Sequence, residues 1–165
     1  MPRGSPGGGN GHKVTESIWK PHTTVAALCE RDGRYLLVKE EVEGAIVYNQ
    51  PAGHLESGET LLDAVVRETL EETRYRFIPS ALQGIYRYTP DENPAQTFIR
   101  FLFRGEAGDR VEGELDQGII VAEWLSYDEV LACRRQHRTP MVAQGIEDAR
   151  INPGYPLEII SRQLA

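Results

Sequence analysis

The chain has 165 residues, a formal net charge of −7 and 40% apolar residues. That is room for one domain with a real core. It contains neither the roughly 20-residue apolar run of a membrane span nor the basic cluster of a nucleic-acid backbone binder. A phosphorylated small molecule remains admissible as a partner, because a bound metal supplies positive charge locally.

Residues Met1 to Ser17 are rich in Gly and Pro and almost free of apolar side chains. They are expected to form a flexible leader without a hydrophobic signal region. Residues 18 to 165 read as a single domain. His22 to Glu30 and Arg34 to Glu40 read as paired strands, with Asp32-Gly33 as the hairpin turn. Ile46 to Gln50 reads as a short strand stopped by Pro51. A helix is expected from Glu59 or Thr60 to about Thr73, with Thr60 and Asp63 as a capping box. Gln83 to Thr89, Thr97 to Gly105 and Gly118 to Leu125 are further strands. Tyr127 to Arg134 and Met141 to Ile151 are further helices. Strands on both sides of a central helix, then helices at the end, point to a mixed sheet with helices on both faces. Cys29 and Cys133 are isolated and lack metal-ligand spacing. They read as reduced structural thiols of a cytoplasmic protein.

The chemistry concentrates in Gly53-His54-Leu55-Glu56-Ser57-Gly58-Glu59, followed by Arg67-Glu68-Thr69-Leu70-Glu71-Glu72. At about 100° of rotation per helical residue, Glu68, Glu71 and Glu72 fall within an arc of about 100°. Leu62, Val66, Thr69, Leu70 and Thr73 are expected on a different, core-facing side. Three carboxylates so close repel unless a cation sits among them. Hard oxygen ligands of this kind suit magnesium, with manganese as a substitute.

This motif resembles the Nudix box, G-x5-E-x7-R-E-U-x-E-E-x-G-U, with U a bulky apolar residue. Gly53, Glu59, Arg67, Glu68, Glu71 and Glu72 match it at the right spacing. Thr69 departs from the usual apolar residue and Arg74 from the usual glycine. The segments KPHTTVAALC, NQPAGHLESGETL, RFLFRGE and YPLEII resemble the NudJ branch of bacterial phosphatases within that family. The resemblance implies an α/β/α sandwich with a mixed sheet. It also implies metal-dependent hydrolysis of a pyrophosphate linkage in nucleoside di- or triphosphates or thiamine-related pyrophosphates. Other substrates of such hydrolases stay open: ADP-ribose, a dinucleoside polyphosphate or an oxidised nucleotide. So does a ligand-binding domain without catalysis. The expected assembly is a monomer or a homodimer.

By resemblance, Glu68, Glu71 and Glu72 bind the metal, with the Gly53 backbone beside it. Glu68 or Glu72 takes a proton from the attacking water, unless an acid of a later loop (Glu112, Glu114 or Asp116) does so. Arg67 orients the neighbouring glutamate, and Glu59 supports the loop. Asn49 and Gln50 stand in a stretch that lines the substrate cleft of the relatives. Their amides suit the edge of a base, His54 a phosphate, and Tyr48 stacking on a ring. Arg87, Arg100 and Arg104 are candidate cations for a distal phosphate, although their strand positions equally suit a solvated face.

Overall fold

The computed structural model describes residues 18–160; the expected leader lies outside them. Eight strands form one mixed sheet: β1 (His22–Arg31), β2 (Arg34–Val42), β3 (Ala45–Asn49), β4 (Ala52–His54), β5 (Tyr75–Tyr88), β6 (Phe98–Arg110), β7 (Ile119–Ser126) and β8 (Tyr155–Pro156). The order is β3-β2-β1-β6-β5-β8, with β4 paired to β1 and β7 to β2. Only β1 and β6 run parallel; the other pairings are antiparallel. Three helices complete the fold: α1 (Leu61–Thr73), α2 (Tyr127–Ala132) and α3 (Met141–Ile151).

Strand alternation assigns the two faces. Val25, Ala27 and Cys29 of β1, with Phe103 of β6, pack against Ala64 and Val65 of α1. Ala26, Leu28 and Leu102 point the other way, onto Val130 of α2 and Val142, Ile146 and Ala149 of α3. Successive strand side chains face opposite sides, so the buried centre of β1, Thr24 to Cys29, feeds two cores at once. This is the expected α/β/α sandwich.

The Asp32-Gly33 turn has positive φ at both residues, 50° and 72°, as a type I′ hairpin requires. α1 begins as its sequence demands. The Thr60 hydroxyl accepts from Asp63 N at 3.1 Å, and Asp63 accepts from Thr60 N at 3.2 Å. Its end is less ordinary. Arg74 is the C-cap, with φ 62° in the left-handed region, where glycine is usual. Thr69, at the position expected to be apolar, is fully buried. Its hydroxyl donates to Val65 O at 2.7 Å, so the polar atom is satisfied within the helix.

Arg74 does more than tolerate its conformation. Its carbonyl accepts from Val111 N at 2.8 Å, and its Nη2 donates to Glu112 O at 3.0 Å. The residue therefore stitches the segment after β6 to the end of α1. Arg74→Gly would relieve the left-handed strain, about 1 kcal/mol, and lose one side-chain hydrogen bond of about the same worth. Stability by denaturant titration is expected to stay within about 1 kcal/mol, and activity within severalfold.

Two expectations about the strands need correction. The strand foreseen at Gln83 to Thr89 begins at Tyr75 and carries three register shifts, one of them around Pro79. Those bulges break the alternation that marks a strand. Opposite it, a Cβ on Gly105 would lie 2.3 Å from Ile78 O, so glycine is needed for β5 and β6 to approach. The segment Ala52–His54, which no expected strand covers, is strand β4. Three residues between Pro51 and a polar turn are too few to show a period.

Candidate active site

Arg67 is the hub of the site. Its Nε and Nη2 form a two-point pair with Glu59, at 2.6 and 3.0 Å. Its Nη1 donates to Glu68 at 2.8 Å and to Glu71 at 3.0 Å. Nη2 also donates to the His54 carbonyl at 3.1 Å. One planar guanidinium thus fixes two helical carboxylates, the acid that precedes the helix and the end of β4. This uses the fork geometry that distinguishes arginine from lysine. The Arg67 hydrogen bond holds Glu59 below the usual carboxylate range. The carboxylates in turn raise Arg67 further above its ordinary value, with Glu59 first.

Glu72 stands apart from this clamp. It is 8% exposed, and its Oε2 accepts from Ala52 N at 2.8 Å. The expected separation of carboxylates from the core-facing side is therefore incomplete: Glu72 belongs to the buried face of α1, with Ala64, Val65, Thr69 and Thr73. Burial pushes its carboxyl up to about 8, the Ala52 bond opposes this, and Glu68 and Glu40 add to the rise. Glu68 is also raised, first by burial, with Arg67 opposing and Glu71 and Asp116 adding.

Gly53 shows the closest approach in the site. A Cβ there would sit 2.1 Å from the Glu68 carboxyl carbon. The space a side chain would fill is the space the Glu68 carboxylate occupies. Among the late acids, Asp116 is the one whose charge reaches Glu68, and its N–H donates to Glu71 O at 3.1 Å. Glu112 and Glu114 are exposed.

Among the described residues, no three His, Cys, Asp or Glu side chains are already gathered closely enough to hold a metal ion. Arg67 accounts for this, since it takes up oxygens of Glu68 and Glu71. The donor chemistry nevertheless fits a hard divalent cation: carboxylate oxygens only, from adjacent turns of one helix, in mutual repulsion that a cation would relieve.

On the far side of β4 lies a cavity of about 150 Å³, lined by Thr24, Asn49, His54, Phe98, Arg100 and Thr139 among others. Ala52 and Gly53 also belong to its wall, so it adjoins the carboxylates across one strand. Sheet register explains the grouping, for His54 pairs with Thr24 and Thr24 with Arg100. His54 lies within reach of His22, at 3.2 Å between ring nitrogens. Burial lowers the His54 pKa, and the charges of His22 and Arg138 lower it further.

Asn49 and His54 thus belong to the wall of this cavity. Gln50 and Tyr48 do not line this cavity. Gln50 is fully buried, its amide donating to Val142 O at 3.4 Å and accepting from Arg100 at 3.5 Å. Tyr48 packs under the Lys39 ammonium, 5.7 Å from the ring centre, and its carbonyl accepts from Arg138 N. Arg104 pairs with Glu30 and Ala149 O on the surface, and Arg87 is exposed. Arg100, given no preference over them by the sequence, is 6% exposed. Burial lowers its pKa to about 10, with Arg138 acting in the same direction.

Comparison with known proteins agrees with this geometry. The family model of the NUDIX domain matches residues 19–144. Phosphatase NudJ of Escherichia coli K12 is 37% identical over 145 residues, covering 87% of this chain and 92% of the relative. NudJ of Shigella flexneri matches equally well. Among solved structures, a NUDIX hydrolase from Nitrosomonas europaea superposes with a TM-score of 0.84 at 46% identity, over 87% of this chain and 98% of that one. A MutT NUDIX hydrolase from Burkholderia pseudomallei shares the fold at 21% identity, with a TM-score of 0.66 over 78% of this chain and 98% of that one. The chain belongs to the Nudix family, and it is a hydrolase of pyrophosphate linkages.

Proposed function

We propose that the substrate is a nucleoside di- or triphosphate or a thiamine-related pyrophosphate, and that magnesium is the working ion. Nudix hydrolases generally use divalent metals, and the relatives at 37% identity are named phosphatases. The observation that carries the reading is the Arg67 clamp. One guanidinium holds Glu59, Glu68 and Glu71 while Glu72 is fixed separately on Ala52 N.

In this reading Glu68, Glu71 and Glu72 hold the cation, together with the Gly53 backbone. When bound, the cation neutralises phosphate oxygens and acidifies a water nucleophile. Arg67 keeps two of the carboxylates at fixed positions, so little reorganisation is left for the reacting state. Glu72 is the better candidate for taking the water proton. Its carboxylate lies outside the Arg67 clamp, bonded through one oxygen to Ala52 N, within reach of a water held at the cation. Glu68, by contrast, has one oxygen committed to Arg67 at 2.8 Å. Attack on phosphorus then breaks the bridging P–O bond, and the leaving phosphate or nucleotide departs with the electron pair.

The test is a release assay with magnesium over nucleoside di- and triphosphates and hydroxymethylpyrimidine pyrophosphate. Turnover of at least one of these, above that of ADP-ribose and dinucleoside polyphosphates, is expected. A clear preference for ADP-ribose would overturn the substrate assignment.

A further inference from the structure

Arg100 is the only buried Lys or Arg side chain among the described residues. It forms no direct ion pair among them, although the charges of Glu72 and Glu40 reach it. Its Nη1 donates to two neutral amide oxygens, at 3.3 Å to Asn49 and 3.5 Å to Gln50, and its Nε is buried with no partner. The hydroxyls of Thr24 and Thr139 are likewise buried and unpartnered. All three residues line the same cavity. Arg138, the other cation on its wall, already donates to Glu40 at 2.7 Å.

Leaving a buried donor unmade is costly, and more so on a charged group. Here a guanidinium edge and two hydroxyls share one enclosure with few acceptors. What such an enclosure lacks is a group presenting two oxygens to the guanidinium fork. At about 150 Å³ the cavity has room for roughly five waters by their share of liquid volume, hence for one small ring or one phosphate. Phe98 and Met141 supply an apolar wall. Because Gly53 lines the cavity and also cradles Glu68, a molecule held at the carboxylates extends naturally into it.

We propose that Arg100, with Thr24 and Thr139, forms a subsite for paired oxygen acceptors on the part of the substrate beyond the reacting diphosphate, and so sets specificity. Those acceptors are either the carbonyls of a heterocycle or the oxygens of a further phosphate. The inference rests on the carboxylate site being the place where the diphosphate is held.

Three substrates separate the sources. Uridine diphosphate carries ring carbonyls, inorganic tripolyphosphate carries a third phosphate without a ring, and methyl diphosphate carries neither. For each, kcat/KM is measured with magnesium and divided by the methyl diphosphate value. Arg100→Gln is expected to lower that ratio at least tenfold for uridine diphosphate or for tripolyphosphate, mainly through KM, with Arg100→Lys intermediate. The substrate affected names the source of the oxygens. A fall of less than tenfold for both, including an equal loss on all three substrates, overturns the proposal. Should Arg100→Gln fail to fold, Thr139→Val removes one donor and leaves the buried cation alone. A severalfold fall in the same ratio then supports the subsite, and an unchanged ratio overturns it. Should the wild-type protein hydrolyse none of the three, the substrate reading stays with its own release assay, and binding decides the subsite by itself. Uridine monophosphate and inorganic phosphate are titrated into metal-free protein. At least tenfold weaker binding of one of them to Arg100→Gln supports the subsite, and any smaller difference overturns it.

Discussion

Glu72→Gln is expected to lower turnover by about a thousandfold, the scale of a lost general base, while the fold persists. Glutamine keeps an acceptor oxygen for Ala52 N, which now binds Glu72 at 2.8 Å, and it fills nearly the same volume. What it loses is the charge. Metal-free wild-type protein should show the cost of that charge directly. The Glu72 carboxyl is raised from 4.5 to about 8, so between those values the folded chain keeps a proton that the unfolded chain releases. Folding stability contributed by this group therefore falls as pH rises through that window. Calorimetry across it should show a falling melting temperature for the wild type and a flatter profile for Glu72→Gln. Added magnesium should restore stability to the wild type at the upper end and do much less for the variant. Unchanged turnover in Glu72→Gln would remove this residue from the chemistry. A variant whose melting temperature still falls as steeply would assign the pH dependence elsewhere.

The two kinds of carboxylate in the site follow from their surroundings. Glu59, Glu68 and Glu71 share one permanent cation in Arg67, so part of their charge is offset within the protein. Glu72 is bonded only to a backbone N–H, and its burial leaves its charge poorly compensated. A cation from solution is thus worth most beside Glu72, where desolvation has already been imposed by the fold. The clamp contributes position, and the buried acid contributes the demand for positive charge.

What was legible in the sequence was the part written in helical spacing. Glu68, Glu71 and Glu72 recur at intervals that a helix converts into one face, and Arg67 stands where its fork reaches an acid one turn on. The Thr60 capping box fixed where that helix starts. Arg100 was not legible in the same way. Strand alternation divides β6 into two faces but does not say which face a later helix covers. Arg100 shares its cavity with Arg138, Thr139 and Met141, more than thirty residues further along the chain. The burial of Gln50 was hidden for the related reason that its partners, Val142 and Arg100, are both distant in sequence. The signal available was chemical: an arginine between Ile99 and Phe101, amid strand residues that otherwise feed a core, needs an acceptor. The length of β5 escaped because its bulges erase the period, and that of β4 because three residues have none.

Gly53→Ala is expected to cost about a hundredfold in kcat/KM, the scale of a 1 Å displacement of a reacting group, for very little stability. A methyl group at this position would stand 2.1 Å from the Glu68 carboxyl carbon, far inside contact distance, so one of them must move. The backbone of β4 is held by its ladder to β1, at Thr24, Val25 and Ala26, and by the Ala52 N–H on Glu72. The Glu68 carboxylate is the far end of a flexible side chain, and it is the group that yields. It would swing away from Arg67 Nη1, leaving the guanidinium with Glu59 and Glu71, two of its three carboxylates. Unfolding by denaturant should change by about 1 kcal/mol or less, the loss of one partly exposed ion pair offset by alanine's smaller entropy cost on folding. Magnesium affinity, read by calorimetric titration, should fall alongside kcat/KM. Had Gly53 served only the turn before Glu56, alanine would be tolerated with activity intact, and that result would break the link between this glycine and the placement of Glu68.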